Sequence, residues 1–176
     1  MKNFILVSGG SGYIGSNLIK NLLKKNYYLI NIDIKKTSFS HKNLVKITID
    51  LNNYNLIYKS LKKYSISHIY HFAATSDIDF SVDNPKKTLN NNIFPTYNLL
   101  KIAELKKTKR FFFASTIYTN SSQGSYYRIS KYCSEEIINE FYKLHGINFT
   151  IIRFGSLFGD LKFKNTINNL ITSGQT

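Results

Sequence analysis

Six short apolar runs, spaced along the chain and separated by amphipathic stretches, constrain the fold more than any other feature of this sequence. They are FILVS (4–8), YYLINID (27–33), VKITI (45–49), HIYHFAA (68–74), RFFFAST (110–116) and FTIIRF (149–154). Apolar, β-branched and aromatic residues dominate them, and runs of this kind suit strands covered on both faces. Between them, mostly apolar residues recur at helical spacing. These are Ile14, Leu18 and Leu22, then Leu56, Ser60, Leu61 and Tyr64, then Leu89, Ile93, Leu99, Leu100 and Ala103, and last Ile137, Ile138, Phe141 and Tyr142. Strand and helix alternating in this way predict an α/β domain, a doubly wound parallel sheet with helices on both faces. A chain of 176 residues that is 43% hydrophobic holds one full core and is too short for two ordinary domains.

The first junction is unusual. Four of the nine glycines, Gly9, Gly10, Gly12 and Gly15, sit in the segment SGGSGYIGS between the first apolar run and the first helical pattern. Glycine weakens helices and strands alike, so such a cluster implies a tight turn or a ligand that touches the backbone. Gly9-x-x-Gly12-x-x-Gly15 between a strand and a helix is the arrangement in which backbone amides and a helix N-terminus favour a pyrophosphate. Asp33 ends the second run, where a carboxylate can accept hydrogen bonds from both ribose hydroxyls of an adenosine and would repel a 2′-phosphate. NAD is therefore favoured over NADP, although Lys35 and Lys36 stand close enough to approach a 2′-phosphate.

Charge and composition narrow the class. The formal charge of +14 invites a nucleic-acid reading, yet arginine occurs only at 110, 128 and 153, and the lysines come as scattered pairs such as Lys24–Lys25 and Lys62–Lys63. Phosphate and base recognition uses clustered basic residues and favours arginine, so a solvated basic surface is expected and no nucleic-acid partner. No stretch approaches a membrane span, and the apolar run at the start is shorter than a signal-peptide core, which makes a cytoplasmic protein the expectation. The one cysteine, Cys133, cannot form an internal disulfide, and His41, His68, His71 and His145 show no metal-ligand spacing with it. No metal is expected.

A second constellation is Tyr127-Arg-Ile-Ser-Lys131, where Tyr127 and Lys131 stand four apart on one helix face. Shortly before it, FFFAST ends in the hydroxyls of Ser115 and Thr116. A phenol, an ammonium and a hydroxyl at the carboxyl ends of adjacent strands can assemble proton-transfer chemistry. Free tyrosine has a pKa of about 10, so a tyrosinate near neutral pH needs a shift of roughly 3 units, about 4 kcal/mol. Lys131 is placed to supply it.

Taken in order, SGGSGYIG, Asp33, IDL (49–51), HIYHFAA, NNNIFPTYNLL (90–100), FFFAST, Tyr-x-x-x-Lys and IIRFGSLFG (151–159) resemble the NAD-dependent nucleotide-sugar epimerase/dehydratase family. These are extended short-chain dehydrogenases/reductases, and the pattern is similar to that of UDP-glucose 4-epimerases. The resemblance implies a Rossmann-type sheet of order 3-2-1-4-5-6 and a chain, 1–176, that is the NAD-binding N-terminal part of a longer enzyme, its C-terminal substrate region absent. It implies that Gly9, Gly12, Tyr13, Ile14, Gly15 and Asp33 bind the cofactor and that Asp50 and Leu51 lie at the adenine. Ala73, Ala74 and Ser76 would lie along the cofactor, with Asn92 and Phe154 near its nicotinamide half. Tyr127 and Lys131 would both hold the cofactor and act catalytically, with Thr116 in the Ser/Thr position and Ser115 as its fallback. The implied reaction is transient oxidation of a nucleotide sugar to a keto sugar and its re-reduction, within polysaccharide biosynthesis, by a homodimer.

Departures from the family pattern limit what carries over. Related dehydratases have Asp-Glu directly after the catalytic Thr, whereas Ile117 and Tyr118 stand here, which disfavours elimination of water and leaves epimerisation or keto reduction. Pro95 replaces the usual glycine and is expected to kink its helix. A non-catalytic dinucleotide-binding module is the other reading left open.

Overall fold

The computed structural model describes residues 2–157. In chain order the elements are β1 (Asn3–Ser8), α1 (Tyr13–Lys24), β2 (Tyr28–Asp33), β3 (Leu44–Thr48), α2 (Tyr54–Leu61), β4 (Ser65–His71), α3 (Ile78–Asp83), α4 (Pro85–Leu105), β5 (Arg110–Thr116), a 3₁₀ turn (Ile117–Asn120), α5 (Ser125–His145) and β6 (Phe149–Phe154). The strands form one parallel sheet in the order β3-β2-β1-β4-β5-β6, as expected. The order reverses direction at β1, between β2 and β4, which opens a crevice at the carboxyl ends of these strands.

Side chains of β1 alternate between two cores. Leu6 faces a large one with Ile30, Ile32, Ile69, Phe111 and Phe113, closed by Ile57 and Leu61 of α2, Leu99 and Ala103 of α4, and Ile138 and Phe141 of α5. Ile5 and Val7 face a smaller one with Leu29, closed by Ile19 and Leu23 of α1. Full burial of each such side chain is worth about 1.5–3 kcal/mol, enough to seat α1 on the sheet.

Two expectations need correction. The fully buried stripe of α1 is Gly15, Ile19 and Leu23, one residue on from the Ile14, Leu18 and Leu22 stripe, of which Leu18 and Leu22 pack half-buried against the same core. Burial on both faces holds for β1 and β2 but not for the edge strands β3 and β6, and Tyr70 of β4 and Phe112 of β5, stacked with centroids 4.3 Å apart, are only half-buried. The helix α4 includes Pro95 within its span. Close by, the carbonyl of Asn92 accepts from the Thr96 hydroxyl at 2.7 Å and from Ser134 at 3.3 Å.

Candidate functional site

The carboxyl ends of the strands open into a cleft of about 840 Å³. Every cofactor-contact or catalytic candidate of the sequence lines it except Asn92. Asn92 is 1% exposed and its amide is taken up within the protein, accepting from Thr75 N at 2.7 Å and donating to Thr75 O at 3.0 Å and to Ser130 Oγ at 2.8 Å. It supports the cleft wall from behind instead of lining it.

At one end the glycine loop leaves β1. Gly9 has φ +70° and lies so close to the segment after β4 that a Cβ there would stand 2.5 Å from Ala73 N. A Cβ on Gly15 would stand 2.4 Å from Gly9 O, so the helix start can approach the loop only as glycine. The Gly12 amide donates to Gly9 O at 3.1 Å and closes the turn. Asp33 fits the same picture, because its Oδ2 accepts from Ser11 N and its Oδ1 from Lys35 N, each at 2.9 Å. A carboxylate offers about four acceptor positions, so two remain for ribose hydroxyls. Hydrogen bonds of Ser11 Oγ with Lys35 O and with Thr37 Oγ1, both at 3.0 Å, fasten the loop after β2 over the glycine turn. The roles of Ser11 and Thr37 carried no readable sign in the sequence. A cradle that side chains would fill, beside a carboxylate with free acceptor capacity, suits a dinucleotide.

At the other end Thr116, Tyr127 and Lys131 meet. Burial pushes the Tyr127 phenol above its ordinary pKa, a hydrogen bond with Thr116 pulls it down, and the neighbouring Tyr118 adds to the rise. The expected depression by Lys131 is not what the geometry produces. Lys131 is 3% exposed, donates from Nζ to Ala114 O at 2.8 Å and lies 6.0 Å from the Tyr127 ring centroid. Its own pKa falls to about 7, burial outweighing the carboxylate of Glu135. Ser115 is engaged differently, its hydroxyl donating to Glu135 Oε1. Arg153 grips the same carboxylate in bidentate fashion, Nε to Oε1 at 3.1 Å and Nη2 to Oε2 at 2.6 Å. Glu135 and Arg153 were missed from the sequence. The one sign available was Glu135 four residues after Lys131, on the same helix face.

Beneath the cleft lies His71, 1% exposed, with Nδ1 at 2.6 Å from Ser8 Oγ and Nε2 at 3.1 Å from Thr96 Oγ1. Burial first, and the charge of Lys131 second, lower its pKa from 6.5 to about 3. The unfolded chain therefore takes up a proton below pH 6.5 that the folded chain refuses until about pH 3, so this contribution to stability is lost as pH falls through that window. Between pH 7.5 and pH 5 the loss is about 2 kcal/mol. Urea titrations at the two pH values are expected to show it in the native protein and not in His71→Asn; equal pH slopes would refute it.

Among the described residues no group of three or more His, Cys, Asp and Glu is arranged to hold a metal ion, and no helix is long and apolar enough to cross a membrane.

A six-stranded parallel sheet of this order, with a glycine turn and an acidic strand end at its switch point, defines a Rossmann-like α/β domain. The chain belongs to the NAD dependent epimerase/dehydratase family, whose model matches residues 5–174. It is 29% identical over 182 residues to the UDP-glucose 4-epimerase of Mycoplasma genitalium, covering 90% of this chain and 54% of that protein. To the ADP-L-glycero-D-manno-heptose-6-epimerase of Brachyspira hyodysenteriae it is 30% identical over 176 residues, covering 88% and 55%. The crystal structure of the UDP-glucose 4-epimerase of Thermotoga maritima with UDP-glucose superimposes with a TM-score of 0.83 at 22% identity, over 94% of this chain and 60% of that one. The chain thus spans about half the length of the curated relatives it matches.

Proposed function

We propose that these residues form the NAD-binding portion of a cytoplasmic nucleotide-sugar epimerase. The observation that carries the reading is that Thr116, Tyr127 and Lys131 share one cleft with the glycine turn and Asp33. When bound, NAD supplies a ring that takes up hydride from a sugar carbon and returns it. The chain's own groups bind and steer. The glycine turn accepts the pyrophosphate, and Asp33 holds ribose hydroxyls. As phenolate the Tyr127 oxygen takes the proton of the reacting sugar hydroxyl and gives it back when the keto sugar is reduced, and Thr116 orients that phenol. The Lys131 ammonium, with a pKa near neutrality, places positive charge beside the exchange. Thr116 is preferred to Ser115 as the hydroxyl that acts beside Tyr127 because Ser115 is bound to Glu135. Among the described residues, the carboxylates lining the cleft are Asp33 and Asp50, both at the β2–β3 end. This supports epimerisation over dehydration, which needs an acid and a base beside Thr116.

Calorimetry is expected to show NAD binding about tenfold or more tighter than NADP, with Asp33→Ala narrowing the gap, since a 2′-phosphate would meet a fixed carboxylate. Equal affinities in the native protein would defeat the role of Asp33. The proposal assigns cofactor binding to these 176 residues and turnover to a protein of the relatives' full length. Holding the reacting hydroxyl near both Tyr127 and the nicotinamide is what catalysis requires. Incubation with NAD and UDP-, GDP-, CDP- and dTDP-sugars, followed by NMR of the sugar protons, should show no conversion by the 176-residue chain. Conversion at an ordinary enzymatic rate would overturn that division.

A further inference from the structure

We infer that His71 is a positioning residue of the cofactor cleft, which through Ser8 and Thr96 sets the wall at Ala73–Thr75 against which the glycine turn rests. The inference depends on the reading of this cleft as the NAD site. The hydrogen-bond directions can be assigned one by one. Thr96 has a single hydroxyl hydrogen, and its nearest acceptor is the Asn92 carbonyl at 2.7 Å, the alternative, Ser134 Oγ, being 3.4 Å away. The Thr96 oxygen must then accept, so the His71 proton sits on Nε2. Nδ1 is left as an acceptor and takes the hydroxyl hydrogen of Ser8 at 2.6 Å. That turns the lone pairs of Ser8 toward the Ala73 amide, 3.4 Å away.

The same network holds the other end of the wall, since Asn92 accepts from Thr75 N and donates to Thr75 O. Asn92 also donates to Ser130, whose hydroxyl donates to the carbonyl of Tyr127 at 2.7 Å. Ser8, His71, Thr96, Asn92 and Ser130 are each no more than 1% exposed, so these bonds lie away from bulk water. Opposite the wall, Gly9 leaves no slack, a Cβ there standing 2.5 Å from Ala73 N. Parallel register sets Ser8 directly beside His71, which is why the relay begins where the glycine turn begins.

The test uses His71→Leu, His71→Asn, Ser8→Ala and the double variant Ser8→Ala/His71→Leu, each checked by circular dichroism for a folded state at the assay temperature. His71→Leu should weaken NAD binding about tenfold, and Ser8→Ala by a similar factor, with the double variant no weaker than either single change. His71→Asn, whose amide oxygen falls near the Nδ1 position, should stay within about threefold of the native protein. A purely structural role would not rank Asn above Leu in this way. Native affinity in His71→Leu, equal losses in Asn and Leu, or multiplied losses in the double variant would each overturn the inference. Two readouts need no NAD. Nitrogen NMR of the imidazole should show the neutral form protonated on Nε2, and amide exchange at Ala73 and Thr75 should quicken in His71→Leu; an Nδ1–H tautomer or unchanged exchange would refute the relay. Native protein that binds no NAD while passing both would instead refute the cofactor reading.

Discussion

Gly9→Ala is expected to lower NAD affinity by roughly a hundredfold or more and to destabilise the fold by about 3 kcal/mol. Two costs combine. The residue sits at φ +70°, where an L side chain is strained by about 1–2 kcal/mol. The added Cβ would also lie 2.5 Å from Ala73 N and 2.8 Å from Ala73 Cα, backbone atoms that cannot swing aside, so turn and wall must part. Gly146 separates the two costs. It has a similar φ of +67° but nothing within 4 Å of a built Cβ, so Gly146→Ala should carry only the conformational cost, about 1 kcal/mol, with NAD binding unchanged. Urea titration and calorimetry of both variants would decide the matter. Equal effects at the two glycines would show that the approach to Ala73 is of no consequence.

In a form of the protein that turns over a nucleotide sugar, Tyr127→Phe is expected to lower kcat by about 10²–10⁴, the range for removing a general acid–base group, and to leave NAD affinity nearly intact. The ring keeps its place in the wall while the oxygen that exchanges the proton is gone. Burial raises the pKa of this phenol and Thr116 opposes the rise, so Thr116→Ala should slow turnover by a smaller factor and move the limb of the rate profile that reports Tyr127 to higher pH. Near-normal rates in Tyr127→Phe, together with their loss in Tyr118→Phe, would move the proton transfer to Tyr118, which also lines the cleft.

Much of this arrangement can be read from the chain. The runs at 110–116 and 149–154 coincide with β5 and β6, because a strand of successive apolar and aromatic residues suits little else at that length. The fourth strand is displaced, observed at Ser65–His71 against the run 68–74. It begins with Ser65 and Ile66, which pair with Asn3 and Phe4 of β1, while Phe72–Ala74 leaves the sheet as the chain turns past the glycine loop. The helix α3 carries no legible periodicity in six residues and owes its start to Asp77, which accepts from Phe80 N at 2.9 Å.

Sequence alone determined the alternation of elements, the glycine turn, Asp33 and the pairing of Tyr127 with Lys131, because each depends on neighbours within a few positions: a strand end, a helix start, a four-residue spacing. Tertiary structure alone decided how those groups behave. Lys131 turns to the Ala114 carbonyl, Ser115 is drawn to Glu135, which Arg153 grips, and Asn92 lies behind the wall. His71 meets Ser8 across 63 residues and Thr96 across 25. No periodicity encodes such meetings. They follow from parallel pairing, which sets the ends of distant strands side by side, and from burial, which obliges each polar group there to find a partner inside the protein.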